Sequence, residues 1–256
     1  MSYWNNLNLQ KIGFNPYINN TTGVRFRGNA PTDFGVTLPN DDSFSTKNDK
    51  YFLSKSEIEA NAKSSETIKE LCKQYNIPIK VNIEELEKLK SGHLKNSRVL
   101  AAKILSGLPP EMKNQVDSSV LQQAAMLHDY GKVLIPKNIL NKETSLNEKE
   151  KEIMQLHPTF SYELLKKQGV NEEVLNLIKY HHQTPDGQGY PAFEENIEYG
   201  IPLQILRAAD EYAALTENRS YKPAMSKAEA LEIIYQDVEN GYISQEVFDS
   251  LKKNCT

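Results

Sequence analysis

Apolar residues recur with helical spacing along most of this sequence, beginning at Ser54. From there onward hydrophobic positions return every three or four residues, the spacing at which side chains share one face of an α-helix. No segment shows the alternation of apolar and polar residues that is typical of a half-buried strand. Before Lys50 neither pattern persists, and the chain is rich in Asn, Thr, Ser, Gly and Pro. The pattern predicts an all-α fold with a poorly structured N-terminal extension.

Signals at helix ends refine these elements. Ser54 with Glu57, and Ser226 with Glu229, match the capping-box pattern, and Pro158 suits a first helical turn. The predicted helices extend over about 54–75, 83–105, 118–130, 147–156, 158–168, 171–182, 203–217, 226–239 and 244–254.

Three parts follow from this reading. Residues 1–53 form the disordered or extended segment, 54–90 a helical linker, and 91–256 a helical domain, with the boundary placed where Gly92 interrupts the second amphipathic stretch. The first helix is a candidate dimer contact. A homodimer or a regulatory protein partner is left open at this stage.

Composition narrows the function classes. The formal net charge is −4 and no Lys/Arg run stands out, so the electrostatic attraction that drives duplex nucleic-acid binding is absent; a small anionic ligand in a local basic pocket remains compatible. Cys72 and Cys255 lie near opposite ends without paired spacing, which predicts a reducing, cytoplasmic setting. No run approaches the roughly 18 apolar residues of a membrane span, so we predict no direct membrane insertion.

The histidines carry the first chemical signal. The chain has only five, and all fall within one ninety-residue stretch: His93, His128, His157, His181 and His182. Histidine is the commonest metal ligand and a common general base. Each one alone is more often a satisfied or solvated residue, but the joint pattern favours a metal site.

Two aspartates sit where charge is costly. Asp129 follows His128, whose helical face is otherwise apolar, and Asp210 shares a face with Leu206, Ala213 and Ala214. Burying a carboxylate is costly unless it is paired or coordinates a metal. The alternative for each is a carboxylate at a helix end or at the edge of an apolar stripe, reaching water.

The adjacent pair His181-His182 raises a geometric question. Neighbouring residues on a helix point about 100° apart, so two ligands to one ion are awkward there. Two neighbouring ions, or a frayed helix end, would remove the difficulty. The turn that follows, from Pro185 to Pro191, is explained equally well as a plain Gly-rich loop.

Taken together, these motifs resemble the HD-GYP branch of the HD superfamily of metal-dependent phosphohydrolases. The resemblance covers about 91–254 and rests on the following segments in order: His128-Asp129-Tyr130-Gly131-Lys132, Ile135-Pro136, His157-Pro158, His181-His182-Gln183, Asp186-Gly187-Gln188-Gly189-Tyr190-Pro191, Asp210 and Arg219-Ser220-Tyr221-Lys222. It implies an HD-superfamily helical bundle and a phosphodiesterase acting on a cyclic dinucleotide, chiefly cyclic di-GMP.

The resemblance also implies roles for individual residues. It implies two divalent ions, or three, of iron or manganese, with Asp129 bridging them; the metal ligands would be His128, Asp129, His157, His181, His182 and Asp210. Asp129 and Lys132 would be the catalytic positions, with Lys132 facing the substrate phosphate. The substrate-binding residues would be Gly189, Tyr190, Arg219 and Lys222.

Three positions depart from the family pattern. The expected histidine three residues before Arg98-Val99 is replaced by Lys95, while His93 lies five residues before Arg98. Either a distorted turn near Gly92 recruits His93 or this ligand is missing. In the second and third departures, Gln183 stands where Glu is common and Ala213 where a second Asp is usual.

These departures keep two other functions open. One is a degenerate domain that binds a nucleotide or a protein without turnover, which Lys95, Gln183 and Ala213 would favour. The other is an HD hydrolase of a different phosphorylated metabolite, against which Arg219 and Lys222 argue. The leading prediction is an active cyclic-dinucleotide phosphodiesterase.

Overall fold

The computed structural model describes residues 52–194, 197–217 and 224–255. Within these ranges all regular secondary structure is helical, apart from one isolated bridge between His182 and Tyr190, so the all-α prediction is confirmed. Most of the predicted 1–53 extension lies outside the described residues, as do Arg219 and Lys222.

Thirteen α-helices form the described part of the chain. They are α1 Lys55–Ser64, α2 Glu66–Gln74, α3 Ile83–Ser91, α4 His93–Gly107, α5 Pro110–Lys113, α6 Ser118–Leu127, α7 Lys137–Leu140, α8 Glu148–Met154, α9 His157–Leu165, α10 Glu172–Tyr180, α11 Ile201–Thr216, α12 Lys227–Glu239 and α13 Gln245–Cys255. A 3-10 helix, Tyr130–Leu134, lies between α6 and α7.

Most helix ends fall near their predicted places. Both predicted capping boxes are present, and Pro158 lies in the first turn of α9. The predicted helix from 54 to 75 is two helices, because the Ser65 side chain accepts the backbone N–H of Ile68 and starts α2 afresh. The predicted helix from 118 to 130 ends earlier, at Leu127, and the chain tightens into the 3-10 helix.

The core is organised around α4, which packs against α6, α11 and α13, while α9 packs against the 3-10 helix and α10. Bidentate contacts between Arg207 and Asp237 (Nε–Oδ2 2.5 Å) join α11 to α12 in the interior. Helices α4, α6, α9, α10 and α11 all bring polar side chains to one place in this bundle.

The helices predicted as a linker share the same apolar core, through residues such as Ile58 and Ile68. They also support the 3-10 helix directly. The hydroxyl of Tyr130 accepts the backbone N–H of Leu53 at 2.8 Å, and the backbone N–H of Asn82 donates to Val133 at 2.8 Å. Helices α1 to α3 therefore help to hold the turn that follows Asp129.

Across the described ranges, each helix is too short or too polar to span a lipid bilayer.

Candidate metal centre

All five histidines of the chain lie beside Asp129 and Asp210 in one cluster, buried except for the half-buried His182. Their donor atoms form two groups, each with its members within 4.8 Å of one another. The triple-histidine group is His157, His181 and His182; the carboxylate group is His93, His128, Asp129 and Asp210. The structure thus brings together every residue predicted as a metal ligand, and adds His93.

Three of the imidazoles are oriented by their own backbone. His128, His157 and His181 each hold Nδ1 against the carbonyl three residues earlier, at 3.0, 2.8 and 2.7 Å. Because a carbonyl can only accept, Nδ1 must carry the proton in each ring. The Nε2 atom therefore faces the cluster in each ring and is the nitrogen that a metal ion would bind.

Burial keeps the triple-histidine group neutral. It lowers the pKa of His157, and the carboxylate of Asp129 only partly offsets this effect. For His181 and His182, burial and the neighbouring imidazoles hold the pKa well below its usual value. Neutral imidazoles keep the lone pair available for coordination near neutral pH.

Asp129 lies between the two groups. Its Oδ2 atom is 3.5 Å from Nε2 of His93 and 3.6 Å from Nε2 of His128, while Oδ1 is 3.2 Å from Nε2 of His157. Although buried, Oδ1 accepts no hydrogen bond. A buried carboxylate oxygen left in this state is costly, and a cation would satisfy it.

Both aspartates are held in the anionic form. Burial favours the neutral acid of Asp129, but Lys132 and His128 outweigh it and keep the pKa well below its usual value. At Asp210 burial again favours the neutral acid, but hydrogen bonds and charge from His128 and His93 hold the pKa well below its usual value. Mixed imidazole and carboxylate donors suit divalent transition metals such as iron and manganese. The residues present fit a divalent metal centre.

His93 enters the cluster because α4 begins there. Gly92 adopts φ −132°, ψ −92°, outside the helical region, and separates α3 from α4. This break lets His93 place Nε2 2.8 Å from Oδ1 of Asp210, while Lys95 is exposed. Burial opposes protonation of His93, but the carboxylates of Asp210 and Glu217 raise its pKa to about 9. Of the two sequence alternatives, the structure has the distorted turn.

The adjacent histidines also find their geometric explanation. Helix α10 ends at Tyr180, so His181 is its C-terminal cap and His182 lies beyond the helix. Their rings are 4.0 Å apart between centroids, and both face His157. The end of α10 between these two residues therefore removes the 100° restriction that a continuous helix would impose on adjacent ligands.

Lys132 lies on the 3-10 helix and pairs its ammonium with Oδ2 of Asp129. Its side chain is partly exposed, with 20% of its surface accessible. The cation therefore lies between the cluster and solvent, where it offsets the negative charge of Asp129.

The loop after His182 folds back onto that histidine. The backbone N–H of Tyr190 donates to the carbonyl of His182 at 3.2 Å, and the two rings lie 4.9 Å apart with planes 30° apart. Gly189 allows this approach, because a Cβ there would come within 2.3 Å of the His182 carbonyl and 2.5 Å of Cα of Gln183. Both predicted substrate-binding residues of this loop therefore flank the triple-histidine group.

Gln183 holds the loop closed. Its side chain is fully buried; Nε2 donates to the carbonyl of Pro191 at 2.7 Å, and Oε1 accepts the backbone N–H of Thr184 at 2.9 Å. Both ends of the amide are thus occupied within the loop. A carboxylate could not donate to Pro191, which gives the departure at this position a structural reason.

Gln183→Ala should therefore loosen the loop. The change leaves the Pro191 carbonyl and the Thr184 N–H without these partners, which we expect to lower the free energy of unfolding by about 1–3 kcal/mol and to raise KM for a substrate that contacts Tyr190. Urea denaturation and steady-state kinetics measure the two effects. Gln188→Ala, a change at an exposed position in the same loop, is the matched control. Equal unfolding free energies and equal KM values for both variants would contradict the role of Gln183 in holding the loop.

The third departure from the family pattern, Ala213, lies in the interior. Ala213 is buried at 1% exposure within α11 and supplies no polar group.

Two residues beside the cluster were not predicted from the sequence, Ser161 and Glu217. Ser161 accepts the Gly131 N–H at 2.7 Å and donates to the His128 carbonyl at 2.7 Å, and its only sequence signal is a spacing of four from His157. Glu217, described below, gave no signal.

A family profile and a solved structure are similar to this chain. The profile of a family described as HD domain matches residues 80–247. A solved structure, Bd1817, a HDG"Y"P protein from Bdellovibrio bacteriovorus, is similar at 21% identity with a TM-score of 0.48, covering 63% of this chain and 50% of that one.

Curated relatives match the same region. The 3'3'-cGAMP-specific phosphodiesterase 1 of Vibrio cholerae is 33% identical over 148 residues, covering 58% of this chain and 33% of the relative. The cyclic di-GMP phosphodiesterase response regulator RpfG of Xanthomonas campestris is 39% identical over 120 residues, covering 45% and 31%. A cyclic di-GMP phosphodiesterase of Thermotoga maritima is 33% identical over 144 residues, covering 55% and 38%.

The chain spans about a third of the length of these relatives. The profile match includes all five helices that bring side chains to the cluster, and the HD, paired-histidine and Gly-Tyr-Pro segments also lie within it. This chain belongs to the HD domain family, in its HD-GYP branch.

Proposed function

We propose that this chain is a metal-dependent phosphodiesterase that hydrolyses a cyclic dinucleotide, cyclic di-GMP, to the linear dinucleotide or to GMP. The observation that carries the proposal is the convergence of five histidines and two aspartates on one buried cluster. The names of the relatives, which include cyclic di-GMP and 3'3'-cGAMP phosphodiesterases, support the substrate class.

The two groups of donors would hold two divalent ions, of iron or manganese. His93, His128 and Asp210 would hold one, the triple-histidine group would hold the other, and Asp129, which lies between the two groups, would help to hold them. When bound, such a pair activates a water molecule and polarises phosphoryl oxygens. The hydrogen bonds to Nδ1 orient the imidazoles before the metal arrives, so little reorganisation is needed.

The chain's own cations would bind the substrate. Lys132 lies partly exposed at the edge of the cluster and would meet one phosphate, while Arg219 and Lys222 follow α11 in sequence and would contact the diester. Fixed cations stabilise the charge that grows on a phosphate during hydrolysis. Tyr190, stacked near His182, would line the pocket together with Gly189.

We assign the catalytic domain to 91–256 and a supporting role to 54–90, whose helices contact the 3-10 helix behind Lys132. Cys72 is a free, buried thiol, which is compatible with a reducing compartment and supports our placement of the protein in the cytoplasm.

Metal content and turnover, measured on one sample, test the proposal. Protein purified without oxygen should contain iron or manganese and should convert cyclic di-GMP faster than 3'3'-cGAMP. Bound metal with faster turnover of 3'3'-cGAMP would move the assignment to that substrate. Bound metal without turnover of either would favour another phosphorylated metabolite, and absence of metal would favour a binding module.

Arg219→Ala should separate substrate binding from metal binding. Loss of a charge-assisted contact to phosphate is expected to raise KM for cyclic di-GMP about tenfold or more, with metal content unchanged. Lys253→Ala removes an exposed cation elsewhere and is the control. Wild-type kinetics in Arg219→Ala would instead indicate that this cation only complements the end of α11.

A further inference from the structure

His93 differs from the other oriented histidines in what holds its Nδ1 atom. His128, His157 and His181 use a carbonyl three residues earlier in the chain. His93 is the first residue of α4, directly after the break at Gly92, and no such carbonyl bond forms in the described structure. Its Nδ1 atom instead lies 3.2 Å from Oε2 of Glu217.

Glu217 is itself held in place. It caps the C-terminal end of α11, where its backbone N–H donates to the carbonyl of Ala213 at 3.0 Å. Its second carboxylate oxygen, Oε1, accepts the side-chain amide of Asn96 at 2.7 Å. The carboxylate therefore bridges α4 and the end of α11, with a donor at each oxygen.

We propose that Glu217 is the positioning residue that makes His93 a metal ligand, an inference that rests on the metal centre proposed above. A carboxylate at Nδ1 keeps a proton on that nitrogen, so Nε2, which lies 2.8 Å from Oδ1 of Asp210, is the nitrogen that a metal ion would bind. It also fixes the ring plane, which a residue at the start of a helix could otherwise change by rotation. His93 lies two residues before the position, occupied here by Lys95, at which the family usually has its histidine. By orienting the ring, Glu217 allows His93 to act as a ligand from this shifted position.

The carboxylate is also a stronger acceptor than the carbonyls used by the other imidazoles, because it is charged. Hydrogen bonding to it increases the electron donation of the imidazole to a bound cation. Loss of such partners typically costs 10- to 100-fold in metal affinity. The effect should be strongest at the carboxylate group, since the ring that Glu217 holds belongs to that group.

Equilibrium dialysis of the full chain with Mn²⁺ tests the proposal. In Glu217→Ala we expect one of two bound ions to be held about 10- to 100-fold more weakly, with the other affected less. Glu217→Gln should act in the same direction with the side-chain volume kept. His93 and Asn96 contact different oxygens of Glu217, whereas an amide has a single acceptor oxygen, so one of the two donors would lose its acceptor. Glu239→Ala, an exposed glutamate near the end of α12, is the control.

A double-mutant cycle separates positioning from general support of the fold. Once His93→Ala has removed the ligand, adding Glu217→Ala should cause no further loss of Mn²⁺ affinity. If the losses of Mn²⁺ affinity from the two substitutions add fully, or if both Glu217 variants keep wild-type affinity, the role of Glu217 is overturned. Neither result would contradict the metal centre itself. Absence of Mn²⁺ binding in the wild-type chain would overturn both.

Discussion

Asp129→Asn should lose most of its bound iron or manganese, and cyclic di-GMP turnover should fall at least about 1,000-fold, since metal activation supplies several kcal/mol of transition-state stabilisation. The amide keeps the shape of the side chain, so the effect would come from charge and coordination. Asp129 is fully buried between the two groups of donors, and its Oδ1 atom accepts no hydrogen bond.

Elemental analysis and turnover assays on the same preparations make the measurement. Asp249→Asn is the control, because it makes the same chemical change at an exposed position of α13. Full metal content together with full turnover in Asp129→Asn would rule out the cluster as the catalytic centre. If Asp129→Asn keeps its metal but loses turnover, Asp129 is needed for catalysis and not for metal binding.

Gly131→Ala is the second change with a large expected effect, and it acts on folding. A Cβ at this position would come within 2.2 Å of the His157 carbonyl, 2.5 Å of the Ser161 nitrogen and 2.7 Å of Cβ of Phe160. Two of these three are backbone atoms of α9, which cannot move independently. We expect the free energy of unfolding to fall by about 3 kcal/mol, the upper part of the range for overpacking.

The same contact connects the fold to the site. Gly131 donates its N–H to Ser161 at 2.7 Å and lies between Asp129 and Lys132 in sequence, so a shift of the 3-10 helix would displace both. Mn²⁺ affinity should therefore fall along with stability. Displacements of about 1 Å at a catalytic constellation can cost about 100-fold in rate.

Urea denaturation of the metal-free chain measures the stability change. Gly200→Ala is the control, because the nearest atom to its added Cβ is Cδ of Pro202 at 3.5 Å, an ordinary contact. Equal unfolding midpoints for the two variants would show that the 3-10 helix can move away from α9 without cost. That result would also weaken the link between α9 and the position of Asp129.

The sequence alone was enough to predict most of the helices and to single out most residues of the buried cluster. Helical spacing depends on local geometry, so the chain pattern located α6 and α8 to α13 to within a few residues, and capping boxes marked two starts correctly. The predicted helix over 83–105 is two helices, α3 and α4, separated at Gly92. Buried charge is expensive wherever it occurs, so Asp129 and Asp210 could be singled out within apolar stripes before any contact was known.

Only the tertiary structure decided how these residues meet. His93 becomes a neighbour of Asp210 because the backbone breaks at Gly92. A shift of one residue along α4 would turn the ring by about 100° and point it elsewhere. Gln183 closes the loop that carries Tyr190 through contacts within that loop, and Glu217 reaches His93 across 124 residues. Hydrogen bonds between distant segments depend on helix packing and leave no periodic trace in the sequence, which is why these positioning residues could be found only in the folded chain.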